Sequence, residues 1–168
     1  VFTTAVNTIT AMVNVTGADV AFLDCEFIIS TGTLGAVLGI LTAATADRLR
    51  VENCRFTGPA TSSGTTTTAC IKHESGVDYV IKNNYIAGKM TSAIVNVATV
   101  LRGLIDGNRI VVTTNDAIIM AAASTPFITN NRMNVSGGTA PVTAGAGFVA
   151  GNVYSAAAAV TAGTAATW

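Results

Sequence analysis

Few side chains in this chain of 168 residues can do acid–base, thiol or metal chemistry: nine carboxylates, one histidine and three cysteines. The carboxylates are Asp19, Asp24, Glu26, Asp47, Glu52, Glu74, Asp78, Asp106 and Asp116, with no Asp-Asp pair and no D-x-D spacing. Calcium sites and glycosidase pairs both need converging carboxylates, and this spacing spreads them singly along the chain. His73 lies in IKHESG, just after the short apolar run ACI, and its flanking Lys72 and Glu74 predict a solvated turn. Cys25, Cys54 and Cys70 form an odd set without a CxxC pair, which predicts free, buried thiols rather than a disulfide framework or a zinc site. No Gly-x-Gly-x-x-Gly or P-loop is present, so no nucleotide cofactor is indicated. The expectation is no enzyme, no metal and no cofactor.

Nine Lys and Arg balance nine Asp and Glu, half of the residues are apolar, and mean hydropathy is +0.54. A zero net charge gives no electrostatic footprint for nucleic acid or an anionic membrane surface. Thr, Gly, Asn and charged residues interrupt every apolar run well before the roughly 18 residues of a membrane helix. The elements that position the few reactive groups must therefore be short. Sixteen Gly with abundant Thr, Val and Ile point to strands and turns.

Those strands repeat. Six segments align without gaps: VAFLDCEF (20–27), LRVENCRF (49–56), YVIKNNYI (79–86), GLIDGNRI (103–110), PFITNNRM (126–133) and GFVAGNVY (147–154). Their anchors, Cys25, Cys54, Asn84, Asn108, Asn131 and Asn152, are 29, 30, 24, 23 and 21 residues apart. A second apolar run falls between successive anchors, at 11–15, 36–41, 69–71, 93–97 and 117–121, with echoes near Val142 and Val160. Several short strands at each 21–30-residue spacing, without helical periodicity, predict an all-β parallel solenoid. Coils stacked about 4.8 Å apart, six to seven of them, would make a rod of roughly 30 Å.

The residue before each anchor is Asp24, Asn53, Asn83, Gly107, Asn130 or Gly151. These types tolerate the left-handed backbone that a sharp bend between strands requires. The anchors themselves would then stack as a ladder, with Asn side chains bonding to one another and to neighbouring backbone. In this V-x-N-N-x-I type of turn, over residues 8–155, the chain resembles the right-handed parallel β-helix family typified by pectate lyases and phage tailspikes. The resemblance implies a single-stranded right-handed parallel β-helix of about 6–7 short coils with an Asn/Cys turn ladder, as one domain spanning 1–168. Residues 156–168 would be an apolar C-terminal coil or an assembly segment. Cys25 and Cys54 would occupy the first two rungs as stacked thiols.

Strand alternation places Phe22, Val51, Ile81, Ile105, Ile128 and Val149 inside before the turn, and Phe27, Phe56, Ile86, Ile110, Met133 and Tyr154 inside after it. One outward column reads Leu23, Glu52, Lys82, Asp106, Thr129, Ala150, where Lys82 would neutralise the Glu52–Asp106 pair. Another reads Ala21, Arg50, Val80, Leu104, Phe127, Phe148. Val80, Leu104, Phe127 and Phe148 form a candidate oligomer seam, unless a bulge at Gly103, Pro126 and Gly147 turns them inward. Asp19, Asp47 and Asp78 recur before the strand as stacked turn-starting residues, and Tyr85 is the outward aromatic available to a sugar.

Small, Ala/Gly/Thr-rich, charge-poor β-helices resemble bacteriophage virion proteins. That likeness implies a non-enzymatic structural protein on the virion surface, a capsid decoration or cement protein or a tail fibre or spike element. Its expected partners are two further copies in a homotrimer, other capsid or tail proteins, and a host-surface glycan. The alternative is a polysaccharide lyase or hydrolase, or a carbohydrate-binding adhesin, of the β-helix family.

Overall fold

Each coil bends at a left-handed residue just before its anchor. In the computed structural model φ is 53° at Asp24, 54° at Asn53, Asn83 and Asn130, 65° at Gly107 and 66° at Gly151. The structure describes residues 1–3, 9–29, 36–58, 67–97, 100–112, 116–121, 124–135, 142–143 and 147–156. Among them there is no helix, and every strand pairing is parallel.

The chain forms a parallel β-helix of about six coils with three sheets. The sheet before the turn stacks Ala21–Leu23, Arg50–Glu52, Val80–Lys82, Val100–Asp106, Thr125–Thr129 and Phe148–Ala150. The sheet after it stacks Phe2–Thr3, Glu26–Ile28, Arg55–Thr57, Tyr85–Gly88, Arg109–Val112, Arg132–Val135 and Val153–Ala156. The third stacks Ile9–Val15, Ala36–Thr42, Thr67–His73, Met90–Asn96, Ile118–Ile119 and Val142–Thr143. The predicted echo near Val160, like residues 157–168 as a whole, lies outside the described residues.

The two turn glycines have a specific cause. A Cβ on Gly107 would lie 2.5 Å from Asn83 Oδ1, and one on Gly151 would lie 2.6 Å from Asn130 Oδ1. Asn83 and Asn130 each cover the bend of the next coil, so a side chain at Gly107 or Gly151 would collide.

The residue after the bend points into the solenoid. Asn84 Nδ2 donates to Val51 O (2.8 Å) and to Asn108 Oδ1 (3.0 Å). Asn108 repeats this with Ile81 O and Asn131 Oδ1, and Asn131 with Ile105 O and Asn152 Oδ1. Each Oδ1 also accepts a backbone N–H from the coil before: Cys54 N to Asn84, Asn84 N to Asn108, Asn108 N to Asn131 and Asn131 N to Asn152, at 2.8–2.9 Å. Asn84, Asn108 and Asn131 are buried, and these bonds saturate the amides of Asn108 and Asn131. At the first two rungs thiols replace amides: Cys54 Sγ lies 3.3 Å from Glu52 O and 3.4 Å from Phe22 O, and Cys25 Sγ 3.3 Å from Leu23 O. All three cysteines are free.

Around the ladder the apolar columns pack in register. Val51, Ile81, Ile105 and Ile128 are fully buried before the turn, as are Phe27, Phe56, Ile86 and Ile110 after it. Phe22, Val149 and Tyr154, toward the two ends, are partly buried against this core. Phe2, Phe27 and Phe56 stack nearly parallel, with centroids 4.8 and 4.5 Å apart, the offset geometry that adds to simple burial.

A second left-handed corner, between the third sheet and the sheet before the turn, uses Asp19 and Asp78, two of the expected turn-starting residues, together with Arg48 and Arg102. There φ is 61° at Asp19, 55° at Arg48, 58° at Asp78 and 54° at Arg102. Backbone bonds from Asp19 N to Asp47 O, Arg48 N to Val77 O and Asp78 N to Leu101 O stack these four residues on successive coils. Arg48 grips Asp19 with both arms of its guanidinium, and Arg102 grips Asp78 likewise (2.7 and 2.9 Å). These arginines hold the Asp19 and Asp78 carboxyls below their ordinary pKa. Asp47 stands one residue earlier and accepts the Val77 N–H, so the expected Asp19–Asp47–Asp78 stack is instead an alternating Asp–Arg–Asp–Arg column.

The ladder makes a quantitative prediction. Asn108→Ala removes the acceptor of the buried Asn84 N–H and the donor to Ile81 O. It should cost roughly 2–4 kcal/mol in urea unfolding. A loss under about 0.5 kcal/mol, the size of an ordinary surface change, would show that the ladder contributes little.

Candidate interaction surfaces

The histidine lies in the core. His73 is fully buried at the end of Thr67–His73, contrary to the solvated turn read from its neighbours. Strand alternation continues through Ile71, Lys72 and His73, turning Lys72 out and His73 in, and the inward column reads Val15, Thr42, His73, Asn96. The His73 ring sits 5.0 Å from that of Tyr79, whose hydroxyl accepts from Asn96 Nδ2 at 3.0 Å. Tyr79 fills the space in which a Cβ on Gly103 would stand, 1.9 Å from its ring. Among the described residues neither His73 nitrogen has a hydrogen-bond partner, nor do Ser92 Oγ and Asn96 Oδ1, all buried. Burial pulls the His73 pKa down to about 4, the nearby charges of Asp47 and Glu74 opposing only part of that shift.

Most of the other reactive groups have local partners. Glu52 accepts from Arg50 at 2.8 Å, and Asp106 from Thr129 and Asn130 at 2.8 and 2.9 Å with Lys82 at 3.7 Å. These bonds, Thr129 first, hold the Asp106 carboxyl below its usual pKa. Burial pushes the Cys54 thiol up to about 11 and Cys70 higher still. Among the described residues no three His, Cys, Asp or Glu side chains converge on one point.

Two outward columns stand out from these self-contained groups. On the sheet before the turn Val80, Leu104, Phe127 and Phe148 are direct neighbours in register. Phe127 is 52% exposed, Val80, Leu104 and Phe148 are half-buried, and the two phenylalanine rings lie 5.9 Å apart. The register does shift between Leu101 and Leu104, so a bulge is present. It is absorbed at Leu101–Gly103, and pairing resumes at Leu104 with the apolar residues still outward. Gly103 and Pro126 are the buried positions.

On the sheet after the turn, the first outward column reads Glu26, Arg55, Tyr85, Arg109, Arg132, Val153. The Arg55 and Arg109 guanidiniums, from the coils on either side, lie 5.6 and 5.5 Å from the Tyr85 ring centroid. That contact occupies the ring, so Tyr85 orders two arginines rather than offering an open platform to a sugar. Every member of this column stands one position after an anchor, so the repeat alignment contained it.

Six of the nine Lys and Arg lie within 4 Å of a carboxylate: Arg48, Arg50, Arg55, Lys72, Lys82 and Arg102. Among the described residues Lys89, Arg109 and Arg132 do not. Beside the last two, a shallow groove of about 390 Å³ is lined by Arg109, Val111, Arg132, Asn134, Val153 and Tyr154 among others. No family model, curated protein or solved structure matches this chain.

The buried histidine sets a pH dependence. With a folded pKa of about 4 against an ordinary 6.5, the unfolded chain binds more protons between those values. Stability is therefore full above pH 6.5 and falls as pH drops toward 4, by about 3 kcal/mol in all. Asp19, Asp78 and Asp106, with lowered pKa values, add their losses only below the ordinary 3.8. Urea midpoints at pH 7.5 and 4.5 should differ for the wild type and converge for His73→Phe. Equal midpoints in the wild type would place His73 in contact with water.

Proposed function

We propose that this chain is a non-enzymatic structural protein of a bacteriophage virion, a capsid decoration or cement protein or a tail fibre or spike element, that assembles as a homotrimer. The observation that carries the assembly reading is the apolar column Val80–Leu104–Phe127–Phe148. Contiguous apolar surface on an otherwise polar exterior marks contact with another protein. The column runs along the solenoid axis on one of three sheets, so three copies with parallel axes can each turn that face to a common threefold axis. A cyclic arrangement closes the contact and leaves no end to propagate. The ion pairs fit the same reading. Glu52, Asp106, Asp19 and Asp78 are each engaged by a neighbouring cation of the chain, as suits a rigid scaffold.

Light scattering coupled to size exclusion should return the mass of three chains of 17.0 kDa. The double variant Leu104→Asp/Phe127→Asp should run as a monomer with an unchanged far-UV spectrum. A monomeric wild type overturns the seam. The virion reading has its own test: gold-labelled antibody on purified phage particles should decorate capsid or tail. Particles free of the protein would exclude it.

A further inference from the structure

The ladder changes chemistry at its first two rungs. Asn84, Asn108 and Asn131 each donate an amide N–H to the next rung, whereas Cys25 and Cys54 bring only a thiol. Leu23 pairs with Glu52 and Glu26 with Arg55, so Cys25 and Cys54, between those pairs, stand opposite each other on adjacent coils. The Arg55 N–H donates to Cys25 O at 2.8 Å and holds that register. Both thiols take the same local course: Cys25 Sγ lies 3.3 Å from Leu23 O, and Cys54 Sγ 3.3 Å from Glu52 O, each two residues back. Matching side-chain courses on parallel strands set the sulfurs about one strand spacing apart, roughly 4.8 Å.

That spacing is too long for a disulfide, which needs sulfurs about 2.05 Å apart and Cβ atoms within about 4.5 Å. It matches a single ion held between the sulfurs, because two collinear metal–thiolate bonds of about 2.3 Å span roughly 4.6 Å. Zinc, calcium and iron–sulfur centres take more than two protein ligands. Among the described residues no third His, Cys, Asp or Glu converges on the pair. Two sulfur donors and nothing else select a soft ion that is satisfied by linear coordination.

We infer that Cys25 and Cys54 form a two-coordinate site for a soft monovalent cation of the Cu(I) type, bridging the first two coils. One thiol proton leaves to solvent as the cation enters, so a thiolate and a thiol hold one positive charge and the site stays neutral. Neutrality matters because Cys54 is 2% exposed, and a net charge there would be costly. Cys54 belongs to the apolar core and Cys25 packs against it, so water competes poorly for the ion. Cys25 is only half-buried, which leaves the ion a way in. The bridge supplies at these rungs the directional link that the amides supply at the others. The second sulfur pair does not fit the same ion: Cys70 Sγ and Met90 Sδ are 3.5 Å apart, too close for a linear bridge, and both residues are fully buried. The thiol site lies in the ladder and not on the apolar seam, so it stands or falls independently of the assembly reading.

Silver(I) is the probe, because it shares this coordination and does not change oxidation state on binding. Native mass spectrometry of the full chain in chloride-free buffer should show one silver ion per chain. The melting temperature should rise by about 5 °C at saturation. Cys25→Ser and Cys54→Ser should each weaken silver binding at least tenfold and abolish the rise, while Cys70→Ala stays within twofold of the wild type. Zinc(II) should leave the melting temperature unchanged. The proposal is overturned if the wild type takes up no silver, if the half-buried Cys25→Ser binds it as well as the wild type, or if folded Cys70→Ala loses it. Equal stabilisation by zinc would overturn it too. So would a wild-type mass lower by two hydrogens, the mark of a Cys25–Cys54 disulfide.

Discussion

The hydrogen bonds of the asparagine ladder fix how far one coil can move against the next. Each amide reaches back to a carbonyl on the preceding coil and forward to the next amide, while its oxygen takes a backbone N–H from the coil before. A slip of one residue would strand buried donors and acceptors together and turn every apolar residue of the strand outward. Register is therefore specified twice, by polar satisfaction and by burial. The left-handed residue just before each rung aims the amide inward, so bend and ladder form one device.

Strict register turns sequence positions into columns, and a column amplifies whatever it contains. Aromatic residues one coil apart become the Phe2–Phe27–Phe56 stack. Asp and Arg alternating at the second corner become two bidentate ion pairs whose exposure keeps each one weak but which tie together four residues with left-handed φ values. Single apolar residues, harmless when scattered, become a seam once Leu104, Phe127 and Phe148 align. A chain with zero net charge can in this way carry a local run of positive charge, which the total hides.

What was legible in the sequence follows from this. The bends, the rungs and both inward columns could be read because each lies within a few residues of its anchor, where period-two alternation keeps its phase. His73 is concealed in the sequence by its charged neighbours Lys72 and Glu74; an apolar run ending at Ile71 hides the two further residues of alternation that point its ring inward. The second corner was only half legible, for a different reason. Asp19, Arg48, Asp78 and Arg102 each stand six residues before their anchors, but arginine is no turn signal, so only the two aspartates mark the bend. The arginine column was present at anchor plus one, yet a column of mixed residues signals nothing until neighbouring coils are known to be in register.

The adjacency of Arg109 and Arg132 gains its meaning from the ladder beneath it. The same coils contribute Asn108 and Asn131, one residue earlier in each strand, and these two amides bond to each other at 2.9 Å. The repulsion between two solvated guanidiniums about 4.8 Å apart is modest in water. Separating them would mean breaking buried bonds that cannot be replaced by solvent, so the core wins and the charges stay together. A sheet held only by its strand pairing could relieve such a pair by twisting or slipping. This one cannot, and the rigidity that makes the juxtaposition tolerable also holds the two forks at a fixed spacing.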